Sequence, residues 1–444
     1  MKRAFIIATI LGMALGSGGA AAERFALPQF KSGYERPSPT TPSPPAQAYE
    51  WLDVPVLVGM LVAASILAVR VRSRRWLWAV MAASLIYFGL WRGGCVCAVG
   101  SIQNVAMALF DPGYAVPLSV AAFFLLPLVF TLFVGRTFCA AVCPLGALQD
   151  IVLVRPLKVP AWLEHTLGLL PYVYLGAGVL FAATGAAFII CEYDPFVSVF
   201  RLLPLARPGA TVAALGGSST MLILGGCFLV AGMFIGRPYC RWLCPYGAIL
   251  KLLARAAKWR VTITPEECIR CRLCEDACPF GAIRKPSAEP PQGSLPIDRR
   301  RLVILLAVAP LILLVGGGLG WQLGRPFARM HFTVRLADRV SLEEAGKVEG
   351  TVDMTDAFYG AGGQPEKLYA DAGAIERRFV RGGTLFGLWV GLVILVKLVH
   401  LSIRRRRDDY EPDPATCVSC GRCFAYCPIE RGRIKQRGGR PPKP

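Results

Sequence analysis

The sequence has little histidine and little acidic charge. It contains three histidines, and its 29 Asp and Glu residues are outnumbered by 49 Lys and Arg residues. It also lacks the haem-attachment pattern C-x2-C-H, the Rossmann and P-loop glycine patterns, and a Ser/Thr-Gly-Ala-Thr flavin-attachment sequence. These absences exclude motif-based binding of covalent haem, dinucleotides and covalent FMN. The glycine-rich stretch GGGLG at 316–320 lies inside an apolar run, which predicts helix packing instead.

The composition excludes an ordinary soluble enzyme. Of the 444 residues, 54% are hydrophobic, and the mean hydropathy is +0.49. The net charge of +20 is concentrated at the ends of apolar runs, in 70–75, 299–301 and 404–407. That distribution is typical of a membrane protein that obeys the positive-inside rule, and it argues against nucleic acid as a partner.

The apolar runs predict an α-helical integral membrane protein of the bacterial inner membrane, surrounded by lipid. We expect about seven transmembrane helices, near 51–69, 76–91, 117–134, 167–190, 210–235, 302–320 and 384–402. Loops 70–75, 136–166, 236–301 and 403–444 hold most of the Lys and Arg residues and are assigned to the cytoplasm. The largest external loop, 321–382, has nine basic and nine acidic residues, and is expected to be a helical cap or docking surface.

The N-terminus has the pattern of a secretory signal. Lys2 and Arg3 precede an apolar run and the small residues GSGGAAA, which predicts a cleaved signal peptide, with an uncleaved anchor helix as the alternative. The predicted segments are a signal peptide at 1–22, a periplasmic proline-rich linker at 23–50, a transmembrane core with two C-x3-C-P repeats at 51–260, a first ferredoxin segment at 261–298, a transmembrane helix at 299–320, a periplasmic loop at 321–382, a transmembrane helix at 383–403, and a second ferredoxin segment at 404–444.

Two C-x2-C-x2-C-x3-C-P runs carry the strongest chemical signal. They are CIRCRLCEDACP at 268–279 and CVSCGRCFAYCP at 417–428, the bacterial ferredoxin pattern for [4Fe–4S] clusters. In that pattern the fourth cysteine binds the other cluster. The predicted ligand sets are Cys268, Cys271, Cys274 and Cys427 for the first cluster, and Cys417, Cys420, Cys423 and Cys278 for the second. Disulfides fit the reducing side poorly, and zinc sites usually have two C-x2-C pairs.

An internal repeat places four more cysteines near one membrane face. GRTFCAAVCPLGAL at 135–148 (the first motif) and GRPYCRWLCPYGAI at 236–249 (the second motif) predict a duplicated helical hairpin. Cysteines four residues apart lie on one side of a helix, so two such helices could clamp a further iron–sulfur centre. Its predicted ligands are Cys139, Cys143, Cys240 and Cys244.

Two alternatives remain for these motif cysteines. Each pair could be a packing or redox-active dithiol, or could join a cysteine from the outer face or the ferredoxin runs. Arg136 and Arg237 precede the pairs by three residues. They are predicted either to offset the charge of a thiolate cluster or to act as interfacial anchors.

The remaining cysteines allow two interpretations. A disulfide and a further metal centre are both compatible with three cysteines at the outer ends of helices: Cys95, Cys97 and Cys191. Nearby polar residues favour a cofactor site, namely Gln103, Asn104, Glu192 and Asp194. Cys227, inside an apolar helix, is predicted to be an ordinary buried small residue.

Paired G-R-x-[FY]-C-x3-C-P-x-G-A motifs followed by two ferredoxin runs resemble the NosR/NapH-type membrane polyferredoxins, over residues 85–285 and 384–430. The resemblance implies electron transfer between the quinol pool or a cytoplasmic donor and a periplasmic reductase. NosR relatives carry a periplasmic domain with covalently bound FMN, whereas this sequence has only the linker 23–50 in that place. We therefore expect a separate periplasmic flavoprotein, cytochrome or reductase as partner.

Three functions are compatible with this sequence. The first is a transmembrane electron conduit, which makes and breaks no substrate bonds. The second is a quinol dehydrogenase with a quinone pocket between helices, so its clusters would be reduced by quinol. The third is an assembly or redox-regulatory factor for a periplasmic metalloenzyme, whose loss would leave the partner without its metal.

Overall fold

The computed structural model describes residues 47–94, 97–200, 219–263, 268–287, 294–403, 407 and 409–436. The predicted signal peptide 1–22 and nearly all of the linker 23–50 lie outside these residues. The described chain is mostly helical. Its helices are α1 Gln47–Ile66, α2 Arg74–Ser84, α3 Ala98–Phe110, α4 Leu118–Val134, α5 Pro144–Ile151, α6 Ala161–Leu167, α7 Leu170–Ala183, α8 Ile189–Glu192, α9 Pro195–Phe200, α10 Ser219–Phe234, α11 Pro238–Trp242, α12 Pro245–Ala254, α13 Leu273–Asp276, α14 Ser294–Ala328, α15 Phe332–Glu344, α16 Asp353–Gly360, α17 Pro365–Ser402, α18 Arg422–Tyr426 and α19 Pro428–Gln436. Three π-helical turns join them, at Leu67–Val71, Leu85–Trp91 and Phe138–Val142.

Several of these helices suit a membrane. In the described part of the chain, four are long and apolar enough to cross a bilayer: Trp51–Val71, Ala161–Ala183, Arg300–Ala328 and Pro365–Ser402. Four more are apolar but shorter: Ala98–Phe110, Leu118–Val134, Thr220–Phe234 and Pro245–Ala254. The structure thus agrees with a helical membrane protein, and the count of seven spans stays a prediction.

The segment between the predicted spans 76–91 and 117–134 contains a helix that the sequence analysis did not predict. α3 runs from Ala98 to Phe110, and eight of its residues are buried, largely against α7. Nothing in the stretch breaks a helix before Asp111, where the following Pro112 disfavours helical backbone. A packed helix therefore follows the predicted span 76–91.

α14 and α17 pack along much of their lengths through small residues. A methyl group added to Gly320 would overlap the carbonyl oxygen of Gly383, and one added to Gly387 would overlap that of Gly316. Only hydrogen at these positions lets two backbones approach so closely. The helix-packing role predicted for GGGLG at 316–320 agrees with this contact.

The predicted external loop 321–382 is largely helical. α14 continues to Ala328, α17 begins at Pro365, and α15 and α16 lie between them. Val340 of α15 and Phe379 of α17 are fully buried, and α15 packs on α17. These contacts form a helical cap continuous with the long helix pair.

The two ferredoxin runs meet although about 140 residues separate them. Strand β1 (Ile283–Arg284) pairs antiparallel with β2 (Glu411–Pro412), and Ile283 lies opposite Pro412. α13 packs beside α18 in the same unit. We call residues 268–287 and 409–436 the two-run unit.

Candidate iron–sulfur sites

The two cysteine runs fold as equivalent loops. Arg270 and Ser419, the residues before the second cysteine of each run, have φ of 53° and 55°. Arg272 and Gly421, the residues after it, also have positive φ, at 64° and 76°. Residues with positive φ alternate here with residues of negative φ. This alternation orients successive backbone N–H groups toward a common concavity, as in many iron–sulfur sites.

The first predicted ligand set lines one cavity of about 400 Å³ that is partly open to solvent. Its cysteines are Cys268, Cys271, Cys274 and Cys427. Cys427 comes from the other run, and it reaches this cavity because it directly follows α18, which packs beside α13. The structure thus brings together the four residues that the crossed arrangement requires.

The second predicted set lies deeper. Cys420 and Cys423 are buried, and both have Cys278 and Cys417 as electrostatic neighbours. Backbone N–H groups point at two of the sulfurs, from Ala282 to Cys278 Sγ and from Ser419 to Cys417 Sγ, each at 3.4 Å. Such N–H···S contacts are among the features that tune cluster potentials.

The chemistry of these sulfurs fits clusters better than a single ion. In the described residues, no three Cys, His, Asp or Glu side chains converge as they would on one metal ion. A cubane makes a different demand, because each thiolate binds a different iron at a corner of the cluster. Burial raises the pKa of Cys417 to about 12 and that of Cys274 to about 11, so coordination is what would make these thiols thiolates.

The C-x3-C-P pairs do not lie on one continuous helix, contrary to the sequence expectation. Cys143 and Cys244 have extended backbone and cap new helices, which begin at Pro144 and Pro245. The reason is local, since proline disfavours helical backbone in the preceding residue but suits the first position of a helix. The first cysteine of each pair lies in the helical turn before that break.

The two motifs nevertheless face each other. Cys143 has Cys139, Cys240 and Cys244 as its electrostatic neighbours. The amide of Gln149, which follows the first motif, donates from Nε2 to Cys240 Sγ of the second motif at 3.3 Å. All four predicted ligands therefore gather in one region.

Arg136 and Arg237 are buried, with 3% and 1% of their surfaces exposed, so they are not interfacial anchors. Arg136 donates to the carbonyl oxygen of Ala415 at 3.1 Å and lies 3.7 Å from Cys139 Sγ. Arg237 donates to the carbonyl oxygens of Cys139 and Ala140. Both guanidinium groups thus place positive charge beside the motif cysteines.

Asp150 is a further residue that the motifs did not indicate. Its side chain is fully buried and forms ion pairs with Arg74 at 2.6 Å, Arg422 at 3.2 Å and Arg237 at 3.6 Å. Burial acts to raise the pKa of Asp150, but the three guanidinium groups outweigh it and lower the pKa to about 2. The available signal was the pair Gln149–Asp150, two polar residues in an otherwise apolar helix just after the first motif.

Of the cysteines predicted at the outer ends of helices, the structure brings Cys97 and Cys191 near each other. Cys97 caps α3 and has Asp194 and Cys191 as electrostatic neighbours. Gln103 Oε1 accepts from the backbone N–H of Cys191 at 3.1 Å. Among the other predicted residues, Asn104 accepts from Tyr114, Glu192 ends α8, and Cys95 lies outside the described residues.

Cys227 is exposed on α10, so its prediction as a buried core residue was wrong. The helix is apolar all round, and periodicity alone could not identify its packed face.

A narrow apolar cavity lies between the outer and motif cysteines. Cys97 and Asp194 line it on one side and Cys143 on the other. Most of the remaining wall is aliphatic or aromatic, including Phe88, Phe123 and Phe200.

Comparison with known families agrees with the two kinds of cysteine motif. A family described as "4Fe-4S binding domain" matches twice, at 116–161 and 219–264. A second family with the same description matches 261–284. The first two matches contain the two C-x3-C-P motifs, and so support the duplication.

Similar proteins include a putative electron transport protein and a regulatory protein. Protein NirI of Paracoccus denitrificans is 35% identical over 163 residues, which cover 34% of this chain and 22% of NirI. Putative electron transport protein YccM of Escherichia coli is 27% identical over 164 residues, covering 34% and 43%. Regulatory protein NosR of Pseudomonas aeruginosa is 29% identical over 223 residues, covering 46% and 29%.

The match spans less than half the length of each of these three relatives, and no solved structure matches the chain. The matches nevertheless agree with the paired C-x3-C-P motifs and the ferredoxin run. The chain is thus similar to NosR/NapH-type ferredoxin-type membrane proteins, and three of its segments match models of [4Fe–4S]-binding domains.

Proposed function

We propose that the chain relays electrons across the bacterial inner membrane, between a cytoplasmic donor or the quinol pool and a periplasmic redox partner. One contact carries the proposal. Cys139 of the first motif packs into the apolar cluster formed by Phe280, Ala282, Val418 and Cys420, together with Cys278 and Cys417. Electron tunnelling falls steeply with distance, so ligands of two centres in one packed cluster favour transfer between them.

The proposed electron-transfer path has four successive sites. It begins at the solvent-open cavity of the first ligand set and continues to the buried second set. It then passes to a centre held by the motif cysteines, and ends near the outer residues Cys97 and Asp194. The protein supplies burial, orientation and charge, while the clusters supply the redox chemistry.

The two-run unit is proposed to face the cytoplasm. Two arginines contact this unit: Arg72 pairs with Glu430 at 3.0 Å, and Arg74 donates to the carbonyl oxygen of Cys420 at 2.9 Å. Both arginines come from the basic loop 70–75, which the positive-inside rule assigns to the cytoplasm. The periplasmic partner would then meet the outer face, near α3 and the helical cap.

Protein reconstituted anaerobically in lipid vesicles tests the conduit. With dithionite outside and oxidised cytochrome c trapped inside, wild-type protein should reduce the trapped cytochrome and contain about eight or more iron atoms. Cys143→Ser should abolish this transfer while the ferredoxin-type EPR signal persists. Cys227→Ser, an exposed cysteine outside every ligand set, is the matched control. Iron near zero, or equal transfer in Cys143→Ser, would reject the conduit.

A quinol dehydrogenase is the second candidate, and the apolar cavity beside Cys143 favours it. A menaquinol analogue should then reduce the clusters rapidly in detergent. Val197→Phe would narrow the cavity and slow this reduction, whereas Val62→Phe on the exposed face of α1 would not. Clusters that stay oxidised with quinol, yet accept electrons from dithionite, would favour the simple conduit.

A further inference from the structure

Asp150 is the point at which three distant parts of the chain meet. Arg74 comes from the start of α2, Arg237 from the second motif and Arg422 from α18 of the two-run unit. Its carboxylate side chain has no exposed surface. A buried carboxylate that loses such partners is strongly unfavourable, so this convergence holds the three elements in one arrangement.

The repeat itself does not require a carboxylate at this position. Alignment of the two motifs on their cysteines places Asp150 opposite Lys251, and Gln149 opposite Leu250. Lys251 donates from Nζ to the carbonyl oxygen of Arg241 in the second motif at 2.9 Å. The second copy thus has a positively charged residue, Lys251, where the first copy has Asp150. Of these two aligned residues, Asp150 is the one that pairs with the two-run unit, through Arg422.

The arginines around Asp150 lead to the second ligand set. Arg74 binds Asp150 through Nη2 and the carbonyl oxygen of Cys420 through Nη1. Arg422 lies between Cys420 and Cys423 in sequence and binds the other carboxylate oxygen. The ion-pair network therefore adjoins two predicted cluster ligands: Arg422 directly precedes Cys423, and Arg74 is hydrogen-bonded to Cys420.

We propose that Asp150 is a positioning residue for electron transfer: it holds the second cysteine run against the C-x3-C-P motifs and moderates the positive charge beside that run's cluster. This inference rests on the proposed electron relay. One carboxylate opposes three guanidinium groups, so removal of its charge leaves the site more positive. A more positive site stabilises the reduced, more negative cluster and raises its midpoint potential.

Asp150→Asn tests both parts of the proposal in the full-length, anaerobically purified protein. We expect the iron content to stay at the wild-type level and the midpoint potential of one cluster, in EPR-monitored titrations, to shift positive. Hydrogen exchange of the backbone amides in 411–427 should quicken. Asp150→Glu should restore both measurements most of the way.

Arg422→Gln should shift the midpoint potential of the cluster in the opposite direction. It removes a positive charge from the same network, so the potential should shift negative while amide exchange in 411–427 again quickens. Asp53→Asn is the matched control, because Asp53 is a buried carboxylate paired with Arg92 at 2.7 Å on another part of the protein. It should leave the potential and this exchange unchanged.

Unchanged potential and unchanged exchange in Asp150→Asn would overturn the proposal, as would a shift equal to that of Asp53→Asn. If Asp150→Asn does not accumulate, Arg422→Gln decides between the outcomes. A negative shift of the potential with faster amide exchange supports the role of Asp150. The absence of both changes rejects that role. Wild-type protein without clusters would reject the electron relay itself, while the exchange measurements would still report on the contact.

Discussion

The side-chain amide of Gln149 donates to Cys240 Sγ at 3.3 Å, while its Oε1 accepts the backbone N–H of Tyr239 at 3.1 Å. One residue after the first motif therefore satisfies two groups of the second motif. The contact ties together the halves of the duplicated site.

Gln149→Leu should weaken this tie. It removes an N–H···S contact, so the midpoint potential of the centre at the motif cysteines should shift negative. It also leaves the buried N–H of Tyr239 without its acceptor, which costs about 1–3 kcal/mol of stability. Redox titration and thermal unfolding measure the two effects. The exposed Gln364→Leu is the control, and a potential identical to that of wild type would contradict the assignment of Gln149.

Cys143→Ser should remove one centre and no other. We expect a loss of about four iron atoms per chain if the motif cysteines hold one cubane together. The same loss is expected from Cys240→Ser, and the double variant should lose no more than either alone. Quantitative iron analysis under anaerobic conditions checks this, with Cys227→Ser as control. Additive losses would mean that each pair serves a different centre.

The crossed ligand sets predict a specific pattern of non-additivity. Cys268→Ser and Cys427→Ser each should lose about four iron atoms, and their combination should lose the same four because both bind one cluster. Cys423→Ser combined with Cys427→Ser should instead lose about eight, although both lie in one run. Iron content and integrated EPR intensity distinguish these outcomes. A loss of about eight iron atoms from the first pair of substitutions and about four from the second would instead mean that each run binds its own cluster.

Gly320→Ala should destabilise the pair of long helices. The added methyl group would overlap the backbone of Gly383, and overpacking of this kind typically costs about 1–3 kcal/mol. Gly318→Ala is the matched control in the same helix, because nothing lies within 4 Å of a methyl group there. Thermal unfolding in detergent compares them. Equal stability of the two variants would disprove the close contact.

Much of the local structure was predictable because it depends on nearby residues. The run spacing and the duplicated motif indicated cluster-binding loops, and the glycines at 316–320 indicated close helix packing. Proline also had a local effect that was overlooked. Because Pro144 and Pro245 begin new helices, the second cysteine of each motif lies outside the preceding helical turn.

The sequence by itself determined the membrane character, the duplication and the two ferredoxin loops, since hydropathy and residue spacing act over a few turns of chain. Only the tertiary structure decided that Cys427 joins the first run's cavity, that Cys139 packs against the second ligand set, and that Asp150 binds three arginines. These contacts join segments up to about 280 residues apart, and Asp150 pairs with arginines 76, 87 and 272 residues away along the chain. Such pairings depend on how helices pack and which charges become buried together, and no local pattern records that.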